Sequence, residues 1–227
     1  TYEFFDMKNN MPTDVYEYNE AVYQDHVLVP YHLIETSTKI TDDGLTYEKL
    51  EEEEREQYED EFCEDDGLVD HIPPEKINTY IFNRDTVDIM ISDLMNHGIK
   101  HKNGNHVGKT IIFAQNKRHA KYIIERFDVL YPQYKGAFCK LVVCDEPYAE
   151  KNLEDFKKPD EYPFITVTVD MLETGVDVPE ITNLVFAKKV YSRIKFEQMI
   201  GRGTRLCENL FGEGRDKKEF YIFDYMR

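Results

Sequence analysis

Ile165-Thr166-Val167-Thr168-Val169-Asp170-Met171-Leu172-Glu173-Thr174-Gly175-Val176-Asp177-Val178-Pro179 is the stretch on which the fold turns. A β-branched run ends in an acid, and a short turn leads to Gly-Val-Asp-Val-Pro. Asn183-Leu184-Val185-Phe186-Ala187 then supplies a second apolar strand. Ser192 reads as the N-cap of a helix with Ile194, Phe196 and Met199 as its apolar positions. That helix runs into Gln198-Met199-Ile200-Gly201-Arg202-Gly203-Thr204-Arg205, a Q-x-x-G-R-G-x-R segment. A guanidinium stays charged and its planar fork matches phosphate oxygens, while glycine lets the backbone approach a ligand. Two arginines so placed suit neutralisation of charge on a transferring phosphoryl group. A glycine-rich turn with two surface arginines is the plainer alternative.

Working outward, strands are expected at 110–114, 138–144, 164–169, 183–187 and 219–224, with helices between them. The first helix takes Asn116 as N-cap and Ala120, Ile123, Ile124, Phe127 and Leu130 as its apolar face. Such alternation predicts an α/β fold, a parallel sheet covered by helices on both faces. Ligands of these sheets bind at the carboxyl ends of strands. Upstream, Val27 to Ile40 reads as a strand. Thr46 reads as the cap of an exposed helix from Glu48 to about Phe62. Val87, Met90, Ile91, Leu94 and Met95 follow helical spacing, with Gly98 as C-cap. His106 and His119 read as solvent-facing, Tyr122 and Phe127 as core.

Strand, acidic turn, strand, helix and Q-x-x-G-R-G-x-R, in that order, resemble motifs V and VI of superfamily 2 helicases and translocases. Those motifs belong to the second of two RecA-like lobes, a P-loop NTPase-like fold. Lys109-Thr110-Ile111-Ile112-Phe113-Ala114-Gln115-Asn116 resembles motif IV of the same lobe. V-T-V-D-M-L-E-T-G-V-D-V-P followed by F-E-Q-M-I-G-R-G-T-R-L resembles one branch in particular, the restriction (motor) subunit of type I restriction-modification enzymes. Tyr2-Glu3-Phe4-Phe5-Asp6 and Leu28-Val29-Pro30-Tyr31 resemble the stretch after motif III there.

The resemblance implies a set of roles. Arg202 and Arg205 would reach the γ-phosphate of ATP, with Arg205 the better arginine finger. Gln198 and Gly201 belong to the same motif, Gln198 orienting it across the lobe interface. Gly175 would permit a tight turn, and Asp177 would contact a ribose hydroxyl or a motif VI arginine. Gln115, Asn116, Lys117, Arg118, Thr168 and Asp170 would face nucleic-acid backbone. Val169 stands where many relatives carry threonine, which leaves Thr168 or a backbone N–H for that contact. Asp170 and Asp177 also fit as helix or turn caps. ATP with Mg²⁺ would be held mainly by a first lobe. The implied partners are duplex DNA, that first lobe and a nuclease domain of the same subunit, and the modification and specificity subunits. The implied location is the cytoplasm, with no membrane partner. The implied division is 1–26 as the end of the first lobe and a connector, and 27–227 as the second lobe, with an acidic, helical insertion at about 42–98. A chain that opens on Thr1 reads as an excised fragment. Two rivals stand: the lobe of another superfamily 2 DNA helicase, and a non-catalytic α/β module that binds an anion.

The 227 residues carry a net charge of −17, which on its face disfavours nucleic acid. Its distribution argues otherwise. Residues 42–66 hold fourteen acids against Lys49 and Arg55, whereas 100–140 and 188–205 carry +7 and +5. Cys63, Cys139, Cys144 and Cys207 have no zinc-type spacing, so no metal site is expected.

Two segments imitate phosphate and metal sites. Gly104-Asn105-His106-Val107-Gly108-Lys109-Thr110 has three residues between its glycines where a P-loop has four, and it precedes a strand where a P-loop follows one. Leu141-Val142-Val143-Cys144-Asp145-Glu146 imitates a strand ending in a magnesium-holding acid pair, but Pro147 follows. Neither is read as a site.

Overall fold

The computed structural model describes residues 18–35, 45–46, 55, 63–64, 67–68, 71–72, 84–143, 146–169 and 177–225. Six parallel strands make one sheet: β1 (Tyr31–Glu35), β6 (Lys109–Ala114), β7 (Cys139–Leu141), β8 (Ile165–Thr168), β9 (Ile181–Ala187) and β10 (Phe220–Asp224). Their spatial order is β1-β10-β9-β6-β8-β7. The central strands read as unbroken apolar runs because both faces are covered.

Alternate residues feed two cores. One face presents Ile112, Val167, Val185 and Phe223 to α2 (Arg84–His97) and α3 (Lys117–Leu130). The other presents Ile111, Phe113, Leu184 and Ile222 to Phe156 of α4 (Ala149–Phe156) and to Met199 and Ile200 of α5 (Arg193–Ile200). Helices α2 and α3 are joined by a two-bonded Arg126–Asp88 pair at 2.8 and 2.6 Å. Gly98 stops α2, its N–H on the Leu94 carbonyl at 2.8 Å, in a space where a Cβ would lie 2.6 Å from that carbonyl oxygen. Asn183, buried in β9, accepts from the Ile99 N–H and donates to its carbonyl, which fixes the exit of α2 to the sheet.

Two expectations change. Helix α2 lies inside the stretch read as an insertion, yet Val87, Met90, Ile91 and Leu94 are core residues. Thr46 lies in β2 (Leu45–Thr46), which pairs antiparallel with β5 (His71–Ile72), and β3 (Cys63–Glu64) pairs with β4 (Gly67–Leu68). Between them only Arg55 is described, as helical; most of the helix expected to about Phe62 lies outside the described residues. His119 is buried rather than solvent-facing, and His106 stacks on His101 at 4.9 Å and lies 4.2 Å from Phe164. Short α1 (Tyr18–Tyr23) is fastened to the segment before β1 by Tyr18 Oη–H donating to the Val29 carbonyl at 3.1 Å. No helix among the described residues is long and apolar enough to cross a membrane.

Candidate functional site

Ser192 caps α5 by accepting from the Lys195 N–H, and the helix delivers its carboxyl end to the arginines. There the backbone tightens: Arg202 N–H donates to the Met199 carbonyl and Gly203 N–H to that of Ile200. Gly203 is required by contact. A Cβ on it would lie 2.3 Å from Cδ2 of Phe220, the first residue of β10. Thr204 closes the turn, its hydroxyl on the Gly201 carbonyl and its own carbonyl accepting the Val29 N–H at 2.8 Å.

Arg205 leaves this turn exposed and meets Asp177, Nε to Oδ1 at 3.2 Å, with both side chains more than half exposed. Arg202 is half-buried beside them. Its guanidinium is held below the usual arginine range by burial first and by the charge of Arg205 second, and Asp177 opposes the shift. Arg205 keeps its guanidinium at the surface, in reach of an oxyanion. Gln198 is exposed on α5 and Gly201 is its C-cap.

The pair does not stand at the carboxyl ends of the strands. Val29 and Phe220, which bracket the Gly201–Thr204 turn, lead into or open β1 and β10, and Asp177 lies four residues before β9. A parallel crossover must carry the chain back to the amino ends of the sheet, so a segment that leaves β8 has travelled its length by Asp177.

The residues expected to face nucleic acid gather at the opposite, carboxyl ends. Gln115 to Arg118 follow β6, and Lys188, after β9, donates to the Val169 carbonyl after β8 at 2.6 Å. Their side chains divide into three groups. Asn116 is used as the N-cap of α3, Oδ1 accepting the His119 N–H at 2.8 Å. Lys117 is tied to Glu146 at 2.7 Å, and Lys121 joins the same carboxylate at 2.8 Å. These lysines hold the Glu146 carboxyl below its usual range. Thr168 is fully buried in β8, so its hydroxyl faces the interior and not a surface ligand. Arg118 is exposed and Gln115 half-buried. Asp170 and Gly175 lie outside the described residues.

The first imitation resolves, whereas Asp145 of the second lies outside the described residues. Lys109 opens β6 with 2 % exposure and donates to the carbonyls of Glu161 and Pro163, each at 2.8 Å. Its ammonium sits 4.7 Å from the Phe164 ring centre, and burial pushes its pKa down to about 8. Glu146 is an ion-pair hub for α3. Among the described residues no group of three or more His, Cys, Asp or Glu side chains gathers as a metal site. Sequence reasoning missed Lys217 altogether. It is 2 % exposed and donates to the Pro179 carbonyl at 2.9 Å. Its only sequence signal is a lysine two residues before an apolar strand.

The family model for the helicase conserved C-terminal domain matches residues 86–207. Two curated relatives are similar. The EcoKI type I restriction enzyme endonuclease subunit of Escherichia coli K12 is 41 % identical over 124 residues, 51 % of this chain and 10 % of that protein. The EcoAI endonuclease subunit of Escherichia coli is 30 % identical over 130 residues, 56 % of this chain and 15 % of that protein. Among solved structures, the fragment of a type I restriction enzyme HsdR subunit from Vibrio vulnificus YJ016 superposes with a TM-score of 0.67 at 23 % identity, over 99 % of this chain and 36 % of that one. The ATP-dependent type ISP restriction-modification enzyme LlaBIII, bound to DNA, gives 0.53 at 16 % identity, over 91 % and 12 %. At these identities the two structures speak for the fold: a parallel sheet with covering helices, as in RecA-like helicase lobes.

Proposed function

The chain belongs to the helicase conserved C-terminal domain family, and on that premise we propose that it is the second motor lobe of the DNA-translocating restriction subunit of a type I restriction enzyme. The observation that carries the reading is the meeting of Arg205 with Asp177 at 3.2 Å, since it joins the two segments that resemble motifs V and VI in one exposed, cationic site. The similarity to two type I restriction enzyme endonuclease subunits supports the restriction branch.

In this reading ATP with Mg²⁺ supplies the γ-phosphoryl group, held mainly by a first lobe elsewhere in the subunit. The residues here fit the remaining task. Arg205 offers donors to the charge that develops on the transferring group, and Arg202 adds a second positive charge from a drier position. Asp177 holds the Arg205 fork in one orientation before the lobes meet, so less rotamer freedom is lost when it acts. Gln198, exposed on α5, reaches across the lobe interface. Lys109 takes no part, because its ammonium is spent on two protein carbonyls.

Duplex DNA tracks the other end of the sheet, where Arg118 and Gln115 stand beside the amino end of α3. Sites for nucleotide and DNA at opposite ends of rigid strands let closure of the lobes on one alter contacts with the other. Cleavage falls to a nuclease domain of the same subunit, and recognition to the modification and specificity subunits in the cytoplasm.

The test is steady-state ATP hydrolysis by the intact subunit on duplex DNA. Arg205→Ala should lower kcat by roughly 10³–10⁵-fold, the range for arginine fingers, with ATP binding little changed. Arg202→Ala should be similar or milder. Normal DNA-stimulated hydrolysis by both variants sinks the assignment.

A further inference from the structure

Lys217 stands on the strand-bound side of the loop that follows motif VI, and it makes two contacts of unequal kind. Its backbone N–H donates to the Cys207 carbonyl at 2.9 Å. Its side chain crosses to the other motif, Nζ donating to the Pro179 carbonyl at 2.9 Å. Cys207 lies two residues beyond Arg205, and Pro179 two residues beyond Asp177. The two backbone anchors therefore sit symmetrically behind the two members of the ion pair. Val178 between them is buried, at 2 % exposure. Phe220 completes the support: its ring lies 5.8 Å from the Lys217 ammonium and directly against Gly203.

An exposed ion pair orders its side chains only as far as the backbone beneath it keeps the partners in place. What fixes Asp177 against Arg205 must be the backbone beneath them, and Lys217 is the side chain that bridges it. We propose that Lys217 is a positioning residue for ATP hydrolysis, a buried clamp that holds the motif V loop and the motif VI turn in register so that Asp177 meets Arg205. The proposal rests on reading Arg205 as the residue that meets the γ-phosphate.

A lysine so buried is expensive unless its ammonium is satisfied. Burial lowers the Lys217 pKa to about 7, with the nearby Cys207 and Glu180 opposing the shift. The Cys207 thiol is itself raised by burial, so it does not titrate near neutrality. Asp216, whose carboxylate accepts the Asn209 N–H, shares this loop with Glu208, Glu213 and Glu219. The clamp therefore changes charge within the physiological range.

The test uses the 227-residue chain and the intact subunit. In the chain, the Arg205 Nε–H resonance reports its contact with Asp177, and Asp177→Asn gives its position when the pair is lost. Lys217→Met keeps the length and apolar stem but removes the donor. The expected result is that the Arg205 resonance in K217M moves toward its position in D177N. In the subunit, K217M should lower kcat for ATP between about tenfold and a hundredfold with KM for ATP unchanged, the scale expected when a catalytic group is misplaced by about an ångström. An unmoved resonance in folded K217M overturns the proposal, as does an unchanged kcat beside a large Arg205→Ala effect. Normal hydrolysis by Arg205→Ala removes the arginine-finger reading, while the resonance still decides the clamp. If K217M does not fold, Lys217→Arg answers in its place: it keeps a donor in reach of the Pro179 carbonyl, so the Arg205 resonance should stay near its wild-type position, and a shift to the D177N position overturns the clamp.

Discussion

Residues 104–110 and 198–205 both set glycines beside cations, and the fold treats the two segments in opposite ways. In the first, Lys109 is drawn inside and its ammonium is used up on the carbonyls of Glu161 and Pro163. In the second, Arg205 is left 58 % exposed with a single carboxylate at 3.2 Å. The cause is the element each occupies. Lys109 opens β6, a central strand with β9 on one side and β8 on the other. Both faces of that strand are covered, so its side chain has only the interior to enter. Arg205 stands on the irregular turn beyond α5, where its side chain stays exposed. What covers the backbone thus decides whether a glycine–cation pattern is spent inside or offered outside.

The sharpest way to break the comparison is to delete the swallowed cation. Lys109→Ala should cost stability and spare chemistry. The substitution leaves a cavity among Phe156 and Phe164 and strips two carbonyls of their donor, so a loss of about 2–5 kcal/mol is expected. ATP turnover per folded subunit should stay at the wild-type value. Denaturant unfolding of the chain and active-site-normalised turnover of the subunit measure both quantities. Lost turnover in a variant of wild-type stability would mean that residues 104–110 hold phosphate after all.

Much of this contrast was legible in the sequence. The strand expected at 110–114 is β6, that at 183–187 is β9 begun two residues early, and that at 219–224 is β10. Continuous β-branched runs bounded by turn residues specify such strands with little help from the rest of the chain. Length was harder: 138–144 yields only Cys139–Leu141 as strand, because β7 is an edge strand with one neighbour. The arginines and Asp177 were found as residue types at a spacing, but the end of the sheet they occupy was not. That depends on how far the crossover after β8 returns, which no local pattern states. Lys217 and the Lys117–Glu146 pair escaped for a related reason. Each is a contact between elements distant in sequence, and a lysine looks the same before it is buried or paired as after. The pairing of Thr46 with His71 was not legible, because two-residue strands carry no periodicity; the helix expected beyond Thr46 lies outside the described residues apart from Arg55, which is helical.

Acidity offers a second, smaller test of the same contrast. Exposed arginines contribute nothing to the pH dependence of folding near neutrality, whereas buried lysines must. Folded Lys109 and Lys217 release their protons near pH 8 and 7, against 10.5 for a free lysine. Between those values the unfolded chain binds more protons than the folded one, so stability rises with pH. The benefit is complete only above about 10.5 and is lost as pH falls to the folded values. Thermal unfolding from pH 6.5 to 9.5 should therefore show a rising Tm, and Lys109→Met or Lys217→Met should each flatten the slope. A Tm that is level or falling in the wild type, with the variants parallel to it, would place these ammonium groups in water.

The smallest effect expected concerns the carboxyl end of the sheet, where the same division recurs between neighbours. Lys117 is engaged by Glu146 at 2.7 Å, and Arg118 beside it is exposed. If phosphate contacts come from offered cations and not from engaged ones, Arg118→Ala should weaken duplex binding and reduce the salt slope by about one, equally for unrelated sequences. Lys117→Ala should do less, since its ammonium is held on Glu146 and not offered to phosphate. The acidic stretch at 42–66 repels DNA at long range, but that repulsion is screened by the same salt and is common to both variants, so it cancels in the comparison. Anisotropy titrations at several salt concentrations resolve the two slopes. Equal losses from Lys117→Ala and Arg118→Ala would mean that Glu146 gives up its lysines when DNA arrives. Loss from Lys117→Ala alone would put the DNA contact on the engaged side chain and end the rule drawn from Lys109 and Arg205.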